Sequence, residues 1–206
     1  MPFPAKPYSS IAGFYESYTS QITQALASVP KSALAAAEIL LGEAMDADAH
    51  IYSCGNGGSA AISNHLVCDH SKGVQCDTGL RPRVHSLSST IELMTAIAND
   101  LEYAEVFAYQ LRTFARPGDV LFAISSSGDS ENVVRALQWA RDNDVRTIAL
   151  TGFTGGRAAK LAEVNLHVAA DNYGVIEDVH QSLMHVLAQF IRMNRMPREL
   201  VAGRRF

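Results

Sequence analysis

The chain of 206 residues carries 17 Lys and Arg against 21 Asp and Glu, a net charge of −4. That balance gives no electrostatic reason to expect nucleic acid or an anionic membrane as partner. A content of 48% hydrophobic and 18% charged residues excludes a disordered chain, and three cysteines without CxxC spacing (Cys54, Cys68, Cys76) argue against a disulfide framework or a cysteine zinc site.

The opening residues, Met1 to Pro7, lack an apolar stretch of signal-peptide length, and no apolar run is long enough to span a bilayer. A cytoplasmic protein is expected. Residues 7–29 place Ile11, Phe14, Tyr18, Ile22, Ala25 and Leu26 at a 3.6 period, which predicts an amphipathic helix ended by Pro30. An Ala- and Leu-rich second helix follows over 32–45. From His50 the pattern changes to strands alternating with helices. Strands are predicted at 49–53, 83–87, 119–124, 146–151 and 164–169, and helices at 60–69, 90–97, 102–114, 130–142, 157–162 and 176–192. The terminal arginines Arg192, Arg195, Arg198, Arg204 and Arg205 read as a solvated end.

Strand–helix alternation predicts an α/β fold, a five-stranded parallel sheet sandwiched by helices. One domain over 1–206 is expected: a helical segment 1–47, an α/β core 48–192 and a tail 193–206. The two leading helices have no place in a simple doubly wound sheet, so they must pack across it or at subunit interfaces. In such sheets ligands bind beyond the carboxyl ends of the strands.

Two turns stand at those ends. Cys54-Gly55-Asn56-Gly57-Gly58-Ser59 joins the first strand to a helix. Its glycines let a ligand approach the backbone, and the helix aims free N–H groups at the turn. Ser125-Ser126-Ser127-Gly128-Asp129-Ser130 follows the clearest strand and gathers four hydroxyls at the start of another helix. Both suit a phosphate, which accepts from amides and hydroxyls. Neither carries the Gly-Lys-Ser/Thr of a P-loop or a good GxGxxG.

His65 and Asp69 are spaced i, i+4 on the helix after the glycine turn. Glu177, Gln181 and His185 form an i, i+4, i+8 stripe on the last helix. A His with a carboxylate from each of two helices suits a divalent ion such as zinc, although each pair alone also reads as a surface or capping pair. Asp178 and His180 stand close enough to be alternative ligands. His70, His85 and His167 are assigned to structure or surface. Asn99-Asp100 closes a helix.

Together these residues resemble the SIS (sugar isomerase) domain. The two turns, the two leading helices, His65, the Asn99-Asp100 pair and the helix carrying Glu177 and His185 are similar to the sedoheptulose 7-phosphate (phosphoheptose) isomerases. The resemblance covers about residues 11–191. It implies a flavodoxin-like five-stranded parallel sheet and a homotetramer with sites between subunits. It implies a sugar phosphate held by Asn56, Gly57, Ser59, Asn99, Asp100, Ser125, Ser126, Ser127 and Ser130. It also implies a zinc ion on His65, Asp69, Glu177 and His185. Two of these four depart from the family's pattern: Asp69 stands where the family has an acid/base glutamate, and Glu177 where it has glutamine. The expected activity is aldose–ketose isomerisation through an enediol, with Asp69 or Glu177 as base and His185 as acid. A non-catalytic SIS sensor or scaffold, such as the protein that associates with the bacterial replication initiator, is the alternative.

Overall fold

The computed structural model describes residues 3–206. Helices α1 (Ile11–Ser28) and α2 (Lys31–Asp46) precede β1 (His50–Gly55) and α3 (Gly58–Cys68), which runs on as a π-helical segment, Asp69–Val74. Then come β2 (Arg83–Ser86), α4 (Ile91–Asp100), a 3₁₀ turn at Tyr103–Glu105, α5 (Ala108–Phe114), β3 (Val120–Ser125) and α6 (Glu131–Asp142). The chain finishes with β4 (Arg146–Thr151), α7 (Ala158–Leu161), β5 (Val164–His167), α8 (Tyr173–Arg195) and α9 (Arg198–Val201).

The sheet has the order β2-β1-β3-β4-β5 and every pair is parallel. This is the doubly wound order whose switch point lies between β1 and β3. Side chains alternate across it as the pleat requires. On β3, Val120, Phe122 and Ile124 enter one core with α2, α3 and α8, while Leu121 and Ala123 enter the other with α5 and α6. Burial of each such large side chain contributes about 1.5–3 kcal/mol.

Three expectations change. The helix expected over 102–114 is broken, because Val106 and Phe107 are both fully buried and the chain must turn inward between the 3₁₀ turn and α5. The last helix starts three residues early, capped by the Asn172 side chain, which accepts from the Val175 N–H. The basic C-terminus is largely paired rather than simply solvated. Arg195 bonds Asp46, and Arg192 and Arg204 share Asp77, whose carboxyl they hold below the usual carboxylate range.

Helix α1 keeps Tyr18 and Ile22 against the core, yet leaves Ile11 82% and Tyr15 68% exposed. Tyr18 donates to Asp178 at 2.7 Å, tying α1 to the first turns of α8. No single helix among the described residues is long and apolar enough to cross a membrane.

His180 of α8 is fully buried, and neither ring nitrogen has a partner in hydrogen-bond geometry among the described residues. Burial pushes its pKa down to about 4, which the nearby Thr151 backbone opposes only in part. The unfolded chain therefore takes up a proton below the ordinary 6.5 that the folded chain refuses. This contribution to stability is full above that value and is lost as pH falls toward the folded one, by up to about 3 kcal/mol. Urea unfolding across that window should show the loss, and a His180→Leu variant should show less of it. Equal acid sensitivity in both proteins would assign the effect elsewhere.

Candidate active site

The two turns sit side by side at the switch point. Gly57 takes φ +54 and ψ −123, backbone that a side chain strongly disfavours. A Cβ at Gly58 would lie 2.2 Å from Glu177 Oε2, so a side chain there would require the Glu177 carboxylate to swing aside. Ser88, which the motifs did not single out, pins the turn. It accepts from the Gly55 N–H at 3.1 Å and donates to the Gly55 carbonyl at 2.9 Å. Ser59 lies inside the first turn of α3 and is buried.

In the serine loop, Gly128 has φ +70 and its N–H donates to the carbonyl and hydroxyl of Ser125, at 3.1 and 3.2 Å. Ser127 Oγ accepts from the Asp129 N–H, and Ser130 stands at the start of α6 without a side-chain cap bond. Ser126 is buried, and its Oγ has no hydrogen-bond partner among the described residues. A buried hydroxyl left unpaired costs about 1–3 kcal/mol, so a ligand oxygen that it could bond would be favoured here. Asp129 is engaged otherwise. Arg157 holds its carboxyl low through a backbone and a guanidinium bond, at 3.0 and 3.1 Å.

The Asn56 side chain locks the two turns together. It exchanges two amide bonds of 2.9 Å with Asn132 of α6 and accepts a third, of 2.8 Å, from the Tyr103 hydroxyl. Asn99 and Asp100 lie at the exposed end of α4, where the Asn99 amide donates to the Asp100 carboxylate.

Further along α3 the chain brings together three of the expected metal and acid/base residues. His65 Nε2 lies 3.3 Å from one oxygen of Asp69, and His185 Nδ1 lies 2.6 Å from the other. The imidazoles meet edge to face at 5.2 Å. Only 17% of the Asp69 side chain is exposed, against 48% and 39% for His65 and His185. One donor atom from each of the three falls within 4.8 Å of the others. Two imidazoles and a carboxylate are the donor types of a zinc site, so the residues fit the ion.

Glu177 does not join that cluster. It stands two helical turns before His185, about 12 Å along α8, against Gly58. Burial raises its pKa above the ordinary carboxyl value, and the neighbouring Asp178 adds to the rise. Gln181, noted only as part of a stripe, reaches the cluster instead: its Nε2 lies 2.8 Å from His185 Nε2. Helices α3 and α8 thus run level, with the phosphate-type turn and Glu177 at one end and the His65–Asp69–His185 cluster at the other. A cavity of about 360 Å³ touches Asp69 and His185 and is lined on another side by Arg205 and Phe206 of the tail. A larger one, about 740 Å³, lies along the outer edge of β2 beside His50 and His85 and contains none of these residues.

Residues 14–152 match the family model described as SIS domain. Over 150 residues the chain is 40% identical to a protein named phosphoheptose isomerase from Colwellia psychrerythraea, covering 71% of this chain and 76% of that one. Over 173 residues it is 36% identical to a phosphoheptose isomerase from Aromatoleum aromaticum, covering 82% and 85%. The solved phosphoheptose isomerase of Neisseria gonorrhoeae superposes with a TM-score of 0.78 at 32% identity, covering 88% of this chain and 96% of that one.

Proposed function

The chain belongs to the SIS-domain family, among its phosphoheptose isomerases, and we propose that it interconverts sedoheptulose 7-phosphate and an aldoheptose 7-phosphate through an enediol. The observation that carries this reading is the convergence of His65, Asp69 and His185 from two helices distant in sequence, in line with the two phosphate-type turns. The phosphate sits between the turns, held by Ser59, Ser125, Ser126, Ser127, Ser130 and the backbone at Asn56 and Gly57, with Asn99 and Asp100 at the rim. The sugar chain then runs along α3 and α8 toward the cluster.

Asp69 takes the proton from the carbon beside the carbonyl and returns it to the neighbouring carbon. In the cluster without an ion, His185 is the acid that moves the matching proton between the two oxygens. Glu177, whose pKa burial raises above the ordinary carboxyl value, is the second carboxyl available to the substrate. A zinc ion on His65, Asp69 and His185 would polarise the carbonyl and stabilise the enediolate charge. The test is turnover of sedoheptulose 7-phosphate with metal content measured on the same sample. Absence of turnover in metal-replete protein sinks the reading.

A Ser127→Ala variant is expected to bind sugar phosphate more weakly by about 1.5–3 kcal/mol, the worth of a hydrogen bond to a charged group. Titration calorimetry with the substrate reads this directly, and an unchanged affinity would move the phosphate elsewhere.

Residues 1–206 form one SIS domain, placed in the cytoplasm, where unpaired cysteines persist. The protein works as a homotetramer. Exposed Ile11 and Tyr15 on α1, with Val186 and Phe190 on α8, give it apolar surface to bury. Light scattering should return four chains per particle; a stable monomer at micromolar concentration contradicts this.

A further inference from the structure

We infer that Gln181 is a positioning residue for the metal centre, holding His185 so that Nδ1 is the nitrogen offered to the ion. The inference rests on the metal reading proposed above and adds a residue to it. The two nitrogens of an imidazole point in diverging directions. His185 turns Nδ1 to Asp69, at 2.6 Å, and Asp69 in turn contacts His65 at 3.3 Å. An ion shared by these three reaches His185 through Nδ1 only. A ligating nitrogen must be unprotonated, so the ring proton then sits on Nε2 and needs an acceptor.

Gln181 stands at that atom, 2.8 Å away and one turn before His185 on α8. This is its one side-chain hydrogen bond among the described residues. An amide can meet Nε2 in either sense, because a half-turn of its end group exchanges nitrogen for oxygen. With the amide nitrogen inward it donates to Nε2, and Nδ1–H donates to Asp69. With the oxygen inward it accepts Nε2–H and leaves Nδ1 free for the ion. Gln181 lies on the side of the ring away from Asp69, so it orients the ligand rather than binding the ion. A metal-ligating His commonly has such a partner on its other nitrogen, and losing it typically costs 10- to 100-fold in metal affinity.

The experiment is a Zn²⁺ affinity measurement by competition with a chromophoric chelator, repeated with Co²⁺ for its absorption bands. It compares the wild type with Gln181→Leu, Gln181→Glu and His65→Ala. Gln181→Leu should bind Zn²⁺ about 10- to 100-fold more weakly with an unchanged circular dichroism spectrum and changed Co²⁺ bands. Gln181→Glu keeps an acceptor at Nε2 and should restore the affinity. Wild-type affinity in Gln181→Leu, or equal weakening in Leu and Glu variants, overturns the role of Gln181 alone. A wild type that binds no ion, or binds it no better than His65→Ala, overturns the metal reading and this inference with it.

Discussion

A His185→Ala variant is expected to lose its metal and to turn over sugar phosphate about 100- to 10,000-fold more slowly, the usual worth of a positioned acid or base. The side chain touches every other member of the cluster: Asp69 through Nδ1, Gln181 through Nε2 and the His65 ring edge to face. Its removal leaves Asp69 with one imidazole, and two donors are too few for a zinc site. A His85→Ala variant is the control. That ring pairs with His50 at 3.0 Å beside the outer edge of β2, outside the cluster, so metal and turnover should both survive its loss. Full activity in His185→Ala would overturn both the metal and the acid assignment. Isomerisation without metal would leave the chemistry to Asp69 and Glu177.

Gly128→Ala should be the most destabilising single change in the phosphate-type turns, costing about 4 kcal/mol or more. Two effects add. The residue has φ +70, which costs a non-glycine residue strain, and its Cβ would lie 2.0 Å from the Gly155 carbonyl oxygen. That neighbour is backbone, and Gly155 is itself fixed by a 2.7 Å bond to the Gly152 carbonyl. The Gly128 carbonyl also accepts from the Ala158 N–H at 2.9 Å, so the serine loop cannot retreat without breaking its tie to α7. Gly118 separates the two effects. Its φ is +90 and nothing lies within 4 Å of a Cβ there, so Gly118→Ala should cost only the conformational part, about 1–2 kcal/mol. Urea unfolding of both variants measures the difference, and equal losses would remove the backbone clash from the account.

The fold could be read from the chain because its signals are local. A continuous apolar run such as Val120-Leu121-Phe122-Ala123-Ile124 needs only the pleat to send alternate side chains into two cores, and the turns after β1 and β3 need only glycines next to a helix start. The i, i+4 pairing of His65 with Asp69 is likewise a property of one helix. Which helix faces which is a different matter, because it depends on how whole faces pack across the sheet. The packing of α3 beside α8 put His185 against Asp69, and it left Glu177 two turns away, with its carboxylate against Gly58. On the other face of the sheet, the packing of α6 and the 3₁₀ turn brought Asn132 and Tyr103 onto Asn56, closing the two turns into one unit. Periodicity along the sequence determined which side chains share a helix face; the long-range packing of α3 on α8 decided which of those faces became a site.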